Sequence, residues 1–387
     1  MTKHEKNPLM ESLKSAQQKS HCARSVRASC FIGHLLFFLL AACSKQPAPT
    51  AAPPSPQQLV VPERGAYTGA YIDFGDTEDD VTIEAIEDFE KMVGKHQAIV
   101  ASSSYWGEQS FPSDNLNLIA RHGSIPLVYW SPWDKPYEED RGPDRFSLSS
   151  ILDGKWDTYI DIWASSAKQF GHPFFVSLCN EMNGSWFPWS GCFYGGGKPI
   201  PNTNPQQYVG AEYFKKAYRY IVDRVRKNGA TNVIWVFHLM NYSYPQDLWN
   251  YAAAYYPGPE YVDWIGLSVY GKQYEGDPWS PFAPLLDWPY TEICNLDPNK
   301  PIMLTEWGIG EYSESGSKAN WIGDGFRAMR SGKYPRLKAA IFWHERWQNE
   351  DNSYSNLHVN SSPEALESYR QGVGNPFWIG EPVYKPR

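Results

Sequence analysis

The stretch 172–189, HPFFVSLCNEMNGSWFPW, is an apolar run that ends in a carboxylic acid and continues into an aromatic loop. The run is rich in aromatic and β-branched residues, which is typical of a strand that is covered on both faces. Glu181 follows the strand directly, and two indole rings follow Glu181. A carboxyl group beside indole rings can hold and protonate a sugar, provided that the chain supplies a second carboxylate to face it.

Similar apolar runs recur along the chain, with amphipathic helical patterns between them. The eight runs are Tyr67–Phe74, His96–Trp106, Ile125–Trp133, Pro173–Asn183, Asn232–Asn241, Val262–Gly271, Pro301–Gly310 and Ala339–Trp347. Helices are predicted at Val81–Val93, Trp156–Phe170 and Tyr208–Lys227. This alternation predicts the α/β class and a (β/α)₈ TIM barrel. A doubly wound sheet is the alternative, but no glycine-rich phosphate turn follows the first strand.

The N-terminal segment is basic and then apolar. The apolar stretch Cys30–Leu40 is too short to cross a membrane but has the length of a signal-peptide core. Leu40-Ala41-Ala42-Cys43 resembles a bacterial lipoprotein cleavage box. We therefore predict a signal peptide at 1–42 with Cys43 lipidated, a Pro/Ala-rich tether at 43–62, and a single catalytic domain at 63–387. An ordinary secretory signal is the alternative to a lipid anchor. The expected location is the bacterial cell envelope, at the outer membrane or the cell surface.

Composition limits the classes of partner. The net charge is −8, and nucleic-acid-binding surfaces are instead built from Lys and Arg clusters. The 17 tryptophans exceed what a core requires, which favours exposed stacking surfaces and a polysaccharide partner. No HExxH motif or comparable histidine cluster is recognisable, so neither a metal nor a cofactor is expected. We expect a monomer.

A second carboxylate has the same setting as the first. In PIMLTEWG (301–308) an apolar strand again ends in Glu and Trp. In a (β/α)₈ barrel the chemistry lies at the carboxyl ends of the strands, where Glu181 would end the fourth strand and Glu306 the seventh. Two carboxyl groups roughly 5 Å apart are the arrangement of retaining glycoside hydrolysis. Glu345, at the end of the eighth strand, is a third candidate carboxylate. Of the tryptophans near strand ends, Trp130, Trp307 and Trp343 are predicted to contact substrate.

The segment NEMNGSWFPW (180–189) resembles the acid/base motif of glycoside hydrolase family 26. The resemblance extends to YYPG (255–258), to YVDWIGL (261–267) and to TEWG (305–308). That family consists mainly of β-mannanases, with some β-1,3-xylanases and mixed-linkage β-glucanases.

The resemblance implies roles for individual residues. Glu181 would be the acid/base and Glu306 the nucleophile, with Tyr270 as the hydrogen-bond partner of Glu306. Trp186 and Trp343 would contact the sugar.

This chain departs from the family at two positions. Family mannanases usually have His immediately before the acid/base, where this chain has Asn180. In the wider clan an Asn there holds the sugar 2-hydroxyl, which is axial in mannose but equatorial in glucose and xylose. Ser268 stands where an Asp is common. We therefore expect an endo-β-glycanase acting on β-1,4-mannan, with mixed-linkage β-glucan or β-1,3-xylan as alternatives. A non-catalytic glycan-binding protein is a further alternative, although such proteins often lose the carboxylate pair that this chain retains.

Overall fold

A computed structural model describes residues 57–387 apart from 76, 137–141 and 350. The predicted signal peptide, Cys43 and the tether up to residue 56 lie outside the described residues. Among the residues that are described, no helix is both long enough and apolar enough to cross a membrane.

The described residues form a closed barrel of eight parallel strands. The strands in chain order are β1 (Gln57–Leu59), β2 (Ala66–Ile72), β3 (Ile99–Tyr105), β4 (Ile125–Ser131), β5 (Phe174–Leu178), β6 (Val233–Met240), β7 (Trp264–Tyr270), β8 (Ile302–Gly308), β9 (Leu337–His344), β10 (Arg346–Gln348), β11 (Tyr354–Asn356), β12 (Trp378–Ile379) and β13 (Tyr384–Pro386). Strands β2 to β9 pair in sequence order, and β2 also pairs with β9, which closes the barrel. The predicted (β/α)₈ fold is confirmed, since each of the eight apolar runs overlaps one barrel strand.

Helices cover the outside of the barrel. They are α1 (Ile83–Val93), α2 (Ser113–His122), α3 (Leu148–Leu152), α4 (Asp157–Phe170), α5 (Val209–Lys227), α6 (Ala252–Tyr255), α7 (Phe282–Leu296), α8 (Lys318–Met329) and α9 (Pro363–Val373). Helix α1 begins after Thr82, whose side chain accepts a hydrogen bond from the Ala85 amide, and ends at Gly94 in the left-handed conformation. The predicted helices over residues 81–93, 156–170 and 208–227 are confirmed within two residues at each end.

The two ends of the described chain pair with each other. Strand β1 runs antiparallel to β13, and Leu59 is buried against the domain. The Tyr67 hydroxyl donates to the Val60 carbonyl at 2.8 Å. The predicted boundary of the tether at residue 62 is therefore wrong, because residues from Gln57 onward already belong to the folded domain.

The core has two layers, one inside the barrel and one between the barrel and its helices. Successive residues of a strand face opposite layers. In β4, Trp130 faces outward and stacks on Trp163 of α4, with ring centroids 3.9 Å apart. In β8, Trp307 packs against Trp321 of α8.

Candidate active site

A sharp turn at the end of β5 places the first carboxylate. Cys179 and Glu181 both have left-handed backbone, with φ of 53° and 52°. The Glu181 amide then donates to the His238 carbonyl of β6 at 2.8 Å. Left-handed backbone is costly for residues other than glycine and is concentrated at functional sites. The backbone of this turn is therefore strained, and the strain fixes the position of the Glu181 carboxyl group.

The residues after Glu181 hold this turn in place. The side chain of Asn183 bonds both the amide and the carbonyl of Met240, each at 2.9 Å. The indole N–H of Trp186 donates to Glu181 Oε2 at 2.8 Å. A Cβ at Gly184 would lie 2.4 Å from the Trp186 ring, so only glycine lets the ring reach the carboxylate. The side chains of Asn183 and Trp186 therefore hold the Glu181 carboxyl group in one position.

The second carboxylate lies opposite the first. Glu306 is in β8, and the Tyr270 hydroxyl at the end of β7 donates to its Oε2 at 2.7 Å. A carboxylate oxygen of Glu181, a carboxylate oxygen of Glu306 and a ring nitrogen of His238 all lie within 4.8 Å of one another. This spacing agrees with the roughly 5 Å expected of a retaining pair and is shorter than the roughly 6.5–9.5 Å of an inverting pair.

The two carboxyl groups are coupled electrostatically. Burial raises the pKa of Glu181, while hydrogen bonds from Ser268 and Trp186 oppose the rise. Burial and the charge of Glu181 raise the pKa of Glu306 well above its usual range, against the hydrogen bond from Tyr270. Because two negative charges this close in a buried site disfavour each other, ionisation of one carboxyl group raises the pKa of the other.

A buried histidine connects Glu181 to the inside of the barrel. His238 is fully buried; Ser177 Oγ lies 2.8 Å from its Nδ1 and Ser268 Oγ lies 2.8 Å from its Nε2. Burial lowers the pKa of His238 to about 3, so the ring is neutral. The Ser268 hydroxyl donates to Glu181 and therefore accepts from Nε2–H, which leaves Nδ1 to accept from Ser177. Ser268, noted from the sequence only as a departure from the family, is a partner of the first carboxylate.

Two further carboxylates act on Glu306. The charges of Glu78 and Glu345 both add to the rise in its pKa. Glu78 is buried and accepts a hydrogen bond from Ser103 Oγ at 2.7 Å. Glu78 was not predicted from the sequence, because it lies in an acidic run before a helix, a setting in which acidic residues are common.

The predicted substrate-binding residues fall into two groups. Tyr270 and Trp186 contact the carboxylates directly, and Asn180 precedes Glu181 with 7 % of its surface exposed. Trp343 stacks on Tyr71 with ring centroids 4.0 Å apart, and its N–H donates to Glu345 Oε2 at 2.5 Å.

The prediction is wrong for the other two tryptophans. Trp130 is 0 % and Trp307 1 % exposed, so neither offers a ring face to a sugar. Both side chains point to the layer between barrel and helices because their inward-facing neighbours in the strand are Tyr129 and Glu306. The Tyr129 hydroxyl donates to the Thr305 carbonyl inside the barrel at 2.9 Å.

Known proteins resemble this chain in sequence and in fold. Endoglucanase H of Acetivibrio thermocellus is 31 % identical over 294 residues, which are 75 % of this chain and 29 % of that protein. The mannan endo-1,4-beta-mannosidase of Bacillus subtilis strain 168 is 24 % identical over 63 % of this chain and 58 % of its own length. The chain thus spans less than two thirds of either relative.

Solved structures share the fold. The catalytic domain of the Bacillus sp. JAMB-750 GH26 endo-beta-1,4-mannanase aligns with a TM-score of 0.59 at 19 % identity, covering 82 % of this chain and 87 % of that one. Residues 149–286 match the model of Glycosyl hydrolase family 26, a range that includes the Glu181 motif and Tyr270. This chain is thus similar to glycosyl hydrolase family 26 in sequence over residues 149–286, and its barrel has the fold of a solved GH26 catalytic domain.

Proposed function

We propose that this protein is a retaining endo-β-glycanase that hydrolyses β-1,4-mannan by double displacement. The proposal rests on the buried pair Glu181 and Glu306 at the mouth of the barrel. A carboxylate oxygen of one lies within 4.8 Å of a carboxylate oxygen of the other. Relatives named as mannan endo-1,4-beta-mannosidases support mannan as the substrate.

In the first step, Glu306 attacks the anomeric carbon while Glu181 gives its proton to the glycosidic oxygen. The bond to the leaving sugar breaks, and a covalent glycosyl ester forms on Glu306. Repulsion between the two carboxylate charges favours the state that this step needs, with one carboxyl group ionised and the other protonated. The hydrogen bond from Tyr270 stabilises Glu306 in its ionised form.

In the second step, Glu181 acts as a base instead of an acid. Its carboxylate takes a proton from water, and the resulting hydroxide oxygen displaces Glu306 from the anomeric carbon. Two inversions give net retention, and both carboxyl groups return to their initial protonation states.

A reducing-end assay on mannan and galactomannan tests the proposal, with NMR to observe the anomer that is formed first. We expect the β-anomer. Glu181→Ala should lower kcat by about 10²- to 10⁴-fold, and Glu306→Ala should remove turnover, both with unchanged folding. Full activity in either variant, or an α-anomer as first product, would refute the mechanism. Glycan binding with no release of reducing ends would support the non-catalytic alternative.

A mixed-linkage β-glucan is the second candidate substrate. Two observations favour it: Asn180 precedes the acid/base, and the relative with 31 % identity is named Endoglucanase H. The same assay on lichenan, curdlan and β-1,3-xylan decides between the candidates. A higher kcat/KM on lichenan than on mannan would replace the first proposal by this one.

We also propose that the protein is attached to the bacterial envelope through a lipid on Cys43. The sequence Leu40-Ala41-Ala42-Cys43 supports this attachment. Expression of the full chain with labelled palmitate should label the wild type and not Cys43→Ala. An unlabelled wild type would indicate an ordinary secretory signal instead.

A further inference from the structure

A second cluster of ionisable side chains lies at the end of the barrel opposite the carboxylates. It consists of Glu90 in α1, His96 in the loop from α1 to β3, and His122, the last residue of α2. His96 Nδ1 lies 2.8 Å from Glu90 Oε1, and His122 Nε2 lies 3.0 Å from Glu90 Oε2. The two imidazole centroids are 4.9 Å apart. The expectation that the chain has no histidine cluster is therefore wrong.

The backbone around these three residues is well fixed. The Gln97 amide donates to Glu90 Oε1 at 2.8 Å, and Gln97 itself is fully buried. The Ser124 hydroxyl donates to the Gln97 carbonyl at 2.7 Å, which ties the two loops together. The cluster is thus held in place before any ligand arrives, so binding would cost little ordering of the chain.

The cluster remains open to solvent on one side. The side chains of Glu90 and His122 are 14 % and 12 % exposed, and that of His96 is 29 % exposed. An ion can therefore enter, and water can complete its coordination. The catalytic carboxylates end strands at the other face, so an ion here would be remote from the chemistry.

We propose that Glu90, His96 and His122 form a binding site for a divalent transition cation, with zinc the best fit. Two imidazole nitrogens and one carboxylate oxygen are a ligand set that Zn²⁺ uses, with water as the fourth ligand. Mg²⁺ and Ca²⁺ prefer sets made of oxygens alone. The three ligand atoms already lie within 4.8 Å of one another, so small rotations bring them to the separations of a tetrahedral site.

Binding of a metal ion changes which ring nitrogen of each histidine carries a proton. Each imidazole that now donates to Glu90 moves its proton to its other ring nitrogen, and the freed nitrogen bonds the metal. The ion would link α1, the loop before β3 and the end of α2. A bound ion would therefore stabilise the folded barrel and take no part in hydrolysis.

The test is a calorimetric titration of the EDTA-treated, dialysed full chain with ZnCl₂, followed by thermal unfolding. We expect one Zn²⁺ per chain with a Kd below about 10 µM, and a rise in Tm of about 4 °C at a 100-fold excess over Kd. Ca²⁺ and Mg²⁺ should give neither signal. Activity should be unchanged by zinc at one equivalent.

Matched variants locate the site. His122→Gln retains a hydrogen-bond donor to Glu90 but should weaken zinc binding at least about tenfold, as should Glu90→Gln. Circular dichroism and the metal-free Tm show whether these variants fold. Two control variants should bind zinc as the wild type does: His358→Gln, which changes a histidine paired with Asp73 at 3.3 Å, and Glu181→Gln, which changes the cluster of Glu181, His238 and Glu306. Failure of the wild type to bind, or loss of binding in Glu181→Gln but not in His122→Gln, would show that the cluster is only a pair of His–Glu contacts.

Discussion

The hydrogen bond from Tyr270 to Glu306 should set the acidic limb of the pH profile. Tyr270→Phe removes only the hydroxyl that donates to Glu306 Oε2 at 2.7 Å. A hydrogen bond to a charged group contributes about 1.5–3 kcal/mol, and one pKa unit corresponds to about 1.4 kcal/mol. The pKa of Glu306 should therefore rise further, by about one to two units. Because the nucleophile must be ionised, the acidic limb of kcat/KM should move up by the same amount.

Ser268→Ala is the matched change on the other carboxyl group. It removes the hydroxyl that donates to Glu181, so the pKa of Glu181 should rise. The acid must be protonated to act, and its loss of a proton defines the basic limb. Ser268→Ala should therefore move the basic limb to higher pH by about one to two units and leave the acidic limb in place.

The assay is kcat/KM against pH for the wild type and both variants, on the polysaccharide that is hydrolysed fastest. Circular dichroism at each pH controls for unfolding. If Tyr270→Phe moved the basic limb and Ser268→Ala the acidic limb, the proposed roles of Glu181 and Glu306 would have to be exchanged. If neither limb moved, the reasoning from these two hydrogen bonds would be wrong.

Further outcomes follow from burial and charge. Trp130→Phe removes the stacking of Trp130 on Trp163 and should lower Tm by several degrees with unchanged KM. Trp186→Phe removes the hydrogen bond to Glu181 and should lower kcat with little effect on Tm. Asn180→His should raise the ratio of kcat/KM on mannan to that on lichenan; a fall in the ratio would contradict the role given to this position. Burial lowers the pKa of Lys318 to about 7. Between pH 7 and 9 the Lys318 amine is therefore more often protonated in the unfolded chain than in the folded chain. The free energy of unfolding of the wild type, relative to that of Lys318→Met, should rise over this range by up to about 2 kcal/mol. Urea unfolding at several pH values measures it.

The fold could be predicted from sequence because most positions of the barrel strands are buried on both faces and are therefore predominantly apolar. The position of Glu181 and Glu306 followed from the same pattern, since both come at the end of such a run. Alternation along the strand also carries information that the prediction did not use. Once Glu306 is placed inside the barrel, its neighbour Trp307 must face the helices. The same rule places Trp130 outside because Tyr129 is inside.

Other features depend on contacts between distant parts of the chain. Glu78 reaches the active site through a strand-end loop, and nothing in the residues around it distinguishes it from an ordinary acidic residue before a helix. Glu90, His96 and His122 meet only because two helices end side by side. Likewise, the pairing of residues 57–59 with Tyr384–Pro386 joins opposite ends of the chain, so local composition placed the start of the domain too late.

The pairing of β1 with β13 also determines how the domain would be presented on a surface. The first residues of the folded domain bond to the start of β2, where the Tyr67 hydroxyl contacts both Val60 and Val383. The chain therefore leaves the barrel at the amino ends of the strands, while Glu181 and Glu306 open at the carboxyl ends. A domain held by its N-terminal side would point its catalytic mouth away from the membrane. Polymers too large to approach the bilayer would then reach the cleft directly.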